Sequence, residues 1–183
     1  MMKSALIIID VQAGLFPEDD LPSEALEVID RINRVSNWAR CMPIPVIWVQ
    51  HETQDGELTC GSDGWELQND LTVLDSDILI RKTTSDSFLR TNLETTLHSL
   101  RVDHLYVCGY SSEFCVDTTV RRGAGLGFPV TLISDAHTSH DKAHLSGSEI
   151  RDHENATLPN ITSFGVPITV KATKEILSSS PAC

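Results

Sequence analysis

The stretch YVCGYSSEFCVDTTV, residues 106–120, decides how the rest of the chain is read. Apolar Tyr106 to Cys108 reads as the end of a buried strand. Gly109, Ser111 and Ser112 form a turn, and Glu113 opens a helix with Cys115 in its first turn. A helix N-terminus presents free backbone N–H groups and a partial positive charge. A thiol at that position is open to a lowered pKa and to use as a nucleophile. Free cysteines also serve as small buried hydrophobes. Position alone therefore does not decide the role of Cys115; its neighbours on the same rim must.

Working outward, SALIII at residues 4–9 is a continuous apolar run, as expected of a strand buried on both faces. Asp10 ends it. Ser23 is positioned to cap a helix carrying Ala25, Leu26, Ile29, Ile32, Val35 and Trp38 at helical spacing. Pro43 and Pro45 stop that helix, and Val46 to Val49 form a second strand. Residues 51–77 follow neither period, and a connection of that length marks a lid or binding loop. Asp77 to Ile80 is a third strand with Arg81 and Lys82 at its end. Phe88 to Leu100 reads as a helix presenting Leu89, Leu93, Leu97 and Leu100. Leu105 to Cys108, Val130 to Ser134 and Ile168 to Val170 complete the strands. Helices are expected over 113–126, 145–158 and 173–177. Strand–helix–strand order of this kind predicts a parallel α/β sheet between helices. Residues 1–177 read as a single domain and 178–183 as a frayed tail.

The net charge of −12 and pI near 4.8 argue against nucleic acid or an anionic membrane as partner. Leu6 to Ile9 is too short for a signal sequence or a membrane span. Five cysteines without a CxxC spacing do not form a disulfide framework or zinc ribbon. The expectation is a cytoplasmic protein with reduced thiols. Asn155-Ala156-Thr157 and Asn160-Ile161-Thr162 match the glycosylation pattern, which carries no weight without export.

In open parallel sheets, ligands collect beyond the C-terminal ends of the strands. Asp10, Lys82 and Cys115 all fall there and supply base, cation and nucleophile on one rim. The segments ALIIIDVQ, IRKTTSDSF and CGYSSEFCVDTTVRRG, with DHENATL further on, resemble the isochorismatase-like cysteine hydrolase superfamily. That group includes nicotinamidases and N-carbamoylsarcosine amidohydrolase, and the likeness runs in order from about Ala5 to Asn160. The resemblance implies a three-layer α/β/α, Rossmann-like fold whose six-stranded parallel sheet has the order 3-2-1-4-5-6. It implies an Asp10-Lys82-Cys115 triad that hydrolyses the C–N bond of a small amide or carbamoyl compound through a thioester. It also implies a cis peptide joining Tyr110 and Ser111, and a dimer or tetramer. The backbone N–H groups of Ser111 and Cys115 are the expected oxyanion donors. With strand three two places from strand one, roughly 10 Å away, Lys82 must turn inward to reach Asp10.

Leu15, Phe16, Trp65, Phe88 and Tyr110 are the expected pocket walls. Nicotinamidases carry a metal-binding Asp-x-His after the second strand, where this chain has His51-Glu52-Thr53. Neither a metal nor another cofactor is expected. His137, His140 and His144 read as surface histidines of a polar loop, and Glu113 as no more than a helix cap. The glycines of 123–127 lack the dinucleotide pattern, since Phe128 stands where its third glycine belongs. A vinyl-ether hydrolase of the isochorismate type is the first alternative, against which Cys115 counts. A catalytically silent binding or assembly member of the family is the second.

Overall fold

The isoleucine-rich run 4–9 forms the centre of the sheet because both of its faces are covered. In the computed structural model, which describes residues 3–178, strand β1 (Ser4–Ile9) pairs in parallel with β2 (Val46–His51) and β4 (His104–Tyr110). β3 (Ile78–Lys82) lies outside β2, and β5 (Val130–Thr138) and β6 (Ile168–Lys171) follow β4. The order is β3-β2-β1-β4-β5-β6, all parallel. The α/β fold and strand order expected from the sequence are those observed.

Strand alternation sends side chains to two separate cores. Ala5, Ile7, Ile9, Ile47 and Val49 pack on one side with Leu93 and Leu97 of α2 (Leu93–Ser99) and Val120 and Ala124 of α3 (Asp117–Gly125). Leu6, Ile8 and Trp48 pack on the other with Val28, Ile29, Ile32 and Val35 of α1 (Ala25–Cys41). Ile176 of α5 (Thr173–Ser178) joins that second side. Each fully buried aliphatic side chain contributes about 1.5–3 kcal/mol against exposure. α4 (Gly147–Thr157) begins with a capping box, in which Ser146 and Glu149 satisfy each other's backbone N–H groups.

Several sequence expectations need correction. Ser23 is not a cap: α1 starts at Ala25 behind Glu24, without a side-chain cap bond. The helix expected from Phe88 reaches only Leu93–Ser99, and Leu89 is exposed. The Asp86 side chain bonds the Phe88 N–H and Thr91 bonds the Leu93 N–H, so polar side chains satisfy the backbone before the helix begins. β5 runs past Ser134 to Thr138. Ser178 belongs to α5, and 179–183 lie outside the described residues. Cys60, Cys108 and Cys115 are free thiols, whereas Cys41 is disulfide-bonded, against the expectation that every thiol is reduced.

Candidate active site

Asp10 is the residue immediately beyond β1, with φ of 51°. Few side chains accept that left-handed conformation, and aspartate is among them. Its N–H is tied to Val49 O at 2.8 Å, and its side chain is buried. Lys82 Nζ lies 2.6 Å from Asp10 Oδ2 although β3 is two strands away. The lysine crosses the end of β2, where His51 stands in register with it. Nζ lies 3.1 Å from His51 Nδ1, and it donates to Thr84 O at 3.0 Å and to Cys115 Sγ at 3.3 Å. Asp10, Lys82 and Cys115 therefore converge through one nitrogen.

The cysteine is brought to that nitrogen by a turn that only glycine permits. Gly109 has φ of 118°, and a Cβ there would stand 2.2 Å from Ile9 O. This close approach seats the turn against the end of β1. The pairing of β4 with β5 shifts register between Val107 and Gly109, a local irregularity of the kind that re-aims a strand end. The Tyr110–Ser111 peptide is cis. Ser112–Val116 then forms one wide π-helical turn before α3, in place of the regular helix expected from Glu113. Phe114 and Val116 both donate to Ser111 O at 3.1 Å. Such wide turns are frequent at functional sites.

Electrostatics in the cluster run against the helix-start argument. Burial pushes the Cys115 thiol up to about 12, the Asp10 charge adds to the rise, and Lys82 opposes it. Desolvation and a neighbouring carboxylate outweigh the partial charge of a helix end. Cys115 rests as a neutral thiol. Burial also raises Asp10 above the usual carboxylate range despite Lys82. Its Oδ1 is buried without a hydrogen-bond partner, so the carboxylate retains an acceptor for a proton.

The histidines divide differently from expectation. His137 is fully buried in β5, with Nδ1 2.8 Å from Ser112 Oγ and Nε2 3.1 Å from Asn155 Oδ1. Burial lowers it to about 4, so it is a neutral strut under the turn that carries Cys115 and not a surface residue. His140 links Tyr110 Oη and Asp20 O, each at 2.8 Å. His144 is exposed, as the sequence reading has it. Glu113 does more than cap: it accepts from Ser139 Oγ and pairs with Lys142 at 3.2 Å.

Of the expected pocket walls, Phe16 meets Tyr110 edge-on at 5.6 Å, and Leu15 lies partly buried beside that cluster. Trp65 is tied down through its carbonyl, which accepts from Gln12 at 2.8 Å and Gln50 at 3.0 Å. Its indole N–H is buried without a partner, and Arg81 stands 5.8 Å from the ring. Phe88 is a correction: it stacks on Phe128 within the core on the α3 side. Two cavities lie away from the triad. One of about 640 Å³ opens at the N-terminal ends of β1 and β2, among Lys3, Ser4, Val46 and Asp77. The other, of about 390 Å³, lies between Phe114 and Ile150. None of the five expected residues lines either cavity.

Among the described residues no group of three or more His, Cys, Asp or Glu could hold a metal ion. Among the described residues no helix is long and apolar enough to cross a membrane. Sequence reasoning missed Gln12, whose amide accepts from the His51 N–H at 2.8 Å and donates to its carbonyl at 2.9 Å. It also missed the His51 contact with Lys82. The one available signal was that His51 occupies the same strand-end position on β2 that Asp10 and Lys82 occupy on theirs.

The chain is similar to several known proteins. Streptothricin hydrolase of Streptomyces noursei is 33% identical over 138 residues, which are 75% of this chain and 50% of that protein. Ureidoacrylate amidohydrolase RutB of Caulobacter vibrioides is 29% identical over 128 residues, 70% of this chain and 53% of RutB. The chain thus spans about half the length of these curated relatives. The crystal structure of an isochorismatase family protein superposes with a TM-score of 0.85 at 32% identity, covering 92% of this chain and 98% of that one. The model of the Isochorismatase domain matches residues 4–170, from the first residue of β1 into β6, and the chain belongs to the isochorismatase family.

Proposed function

We propose that the protein is a cysteine hydrolase that cleaves the C–N bond of a small amide or carbamoyl compound through a thioester. The observation that carries this reading is the convergence of Asp10 Oδ2, Lys82 Nζ and Cys115 Sγ, at 2.6 and 3.3 Å about the lysine. The names of two relatives, a hydrolase and an amidohydrolase, support the class of reaction.

Asp10 takes the thiol proton as sulfur attacks the carbonyl carbon. With the resting thiol so weakly acidic, proton transfer accompanies attack instead of preceding it. The carbonyl oxygen becomes an oxyanion, for which the Cys115 and Ser111 N–H groups are the proposed donors. Each such donor lowers the barrier by about 3 kcal/mol. Protonated Asp10 returns its proton to the nitrogen, the C–N bond breaks, and ammonia or an amine leaves a thioester. Asp10 then draws a proton from water, hydroxide adds to the thioester, and the C–S bond breaks to give the acid and the thiol. Lys82 keeps its charge throughout and neutralises whichever anion is present.

The test is ammonia release from a panel of small amides and carbamoyl compounds, with Cys115→Ala as control. Turnover by the wild type and its loss by at least about 10⁴-fold in the variant is the expected result. Turnover that survives Cys115→Ala would remove the thioester. Inertness toward the panel with isochorismate consumed would point to vinyl-ether chemistry, and inertness toward both to a silent family member.

A further inference from the structure

His51 is the one ring in contact with Lys82 that the proposed triad does not use. Its backbone is fixed on both sides by Gln12, which bonds its N–H and its carbonyl. A lysine ammonium has only protons to offer, so a hydrogen bond from Nζ to His51 Nδ1, 3.1 Å away, takes the lone pair on that nitrogen. Such a bond goes with the neutral tautomer whose proton is on Nε2. Nζ has three donors and four acceptors around it: Asp10 Oδ2, His51 Nδ1, Thr84 O and Cys115 Sγ. The two that belong to neither reacting group, His51 and Thr84, set where the nitrogen stands.

We propose that His51 is a positioning residue whose neutral imidazole anchors Lys82 Nζ between Asp10 and Cys115, and whose protonation releases it. This rests on the triad reading above. An imidazolium would direct an N–H at an ammonium 3.1 Å away, so the contact cannot survive protonation. The charged groups facing the ring are Lys82 from β3, Asp10 from the end of β1 and Glu52 just beyond the end of β2. Burial and the Lys82 charge hold His51 below its ordinary value, against Asp10, the Thr84 backbone and Glu52. The neutral form is therefore the form present at neutral pH, and anchoring fails only as the solution becomes acidic.

The tests are two, and one needs no substrate. Nitrogen NMR of the wild-type protein reads the tautomer directly; a proton on Nδ1 at neutral pH would overturn the proposal. His51→Ala is expected to lower kcat by about tenfold with KM little changed, the effect of one pKa unit at the thiol. It should slow iodoacetamide alkylation of Cys115 by a similar factor, because Lys82 no longer steadies the thiolate. His51→Asn offers an amide oxygen where Nδ1 stood and does not titrate. It should recover most of both rates and lose the acid-side decline that His51 imposes. Alanine and asparagine variants that alkylate alike, with matched melting curves, would overturn the proposal. If His51→Ala fails to fold, the tautomer and the acid limb of His51→Asn still decide. Expected alkylation rates with no amide turned over would leave the anchor standing and remove the proposed reaction; turnover with indifferent alkylation would do the reverse.

Discussion

Two of the carboxylates that sit against cations in this molecule shift in opposite directions. Glu24 meets Arg151 at 2.8 Å and Arg31 at 2.9 Å, and these hydrogen bonds lower it to about 2. Asp10 meets Lys82 at 2.6 Å, yet burial raises it. The difference is water. The Glu24 side chain is 39% exposed and that of Asp10 is 2%. An opposite charge stabilises a carboxylate only by what remains after desolvation is subtracted. Glu24 is thereby a tie between the start of α1 and α4, fixed in its ionised form. Asp10 takes a proton more readily than an ordinary carboxylate, as the proposed general base requires.

The comparison is tested hardest by removing the base. Asp10→Asn should abolish amide turnover, a loss of at least about 10⁴-fold, because nothing else in the cluster accepts the thiol proton. Ammonia release under saturating substrate measures it. Lys82→Met comes next in size. It leaves a buried carboxylate without its cation, and urea unfolding at neutral pH should report a loss of about 3 kcal/mol. The sign follows from the raised folded-state value of Asp10. Such a group favours folding when protonated and costs stability as pH rises through that value, so the Lys82→Met deficit should shrink in acid. A deficit that grows in acid would mean that Lys82 is not the partner that matters.

A smaller effect separates charge from chemistry. Asp10→Asn removes an anion that raises Cys115, so the variant thiol should react with iodoacetamide about tenfold faster than wild type at neutral pH. Turnover would fall while alkylation rises. A merely structural role for Asp10 would slow both.

The sheet was legible because its central strand is apolar from Ala5 to Ile9 and the helices keep their period. Both are local signals that tertiary packing reinforces. Asp10, Lys82 and Cys115 stood out as candidates because each ends or follows a strand. What stayed hidden depended on contacts distant in sequence. Nothing in IRKTTSDSF says that Lys82 passes over His51, since that follows from the register of β2 with β3. The wide turn at 112–116 and the burial of His137 arise where β5 runs four residues further than its apolar segment indicates. The high resting pKa of Cys115 was missed for the same reason: a helix start is read from sequence, while desolvation is read only from packing.

The smallest effect belongs to Glu24. Its folded value of about 2 lies below the ordinary 4.5, so its ion pairs stabilise the fold above pH 4.5, and that contribution disappears as pH falls toward 2. Because more than a third of the side chain is exposed, solvent screens the pairs, and the full shift overstates what they contribute. Glu24→Gln should therefore cost only about 1 kcal/mol at neutral pH, and less in high salt. Urea unfolding of the variant and the wild type should give curves that converge as pH approaches 2. A Glu24→Gln loss as large as that of Lys82→Met would mean that exposure does not separate the two sites. The contrast between a carboxylate that binds a cation and one that waits for a proton would then have to rest on something other than water.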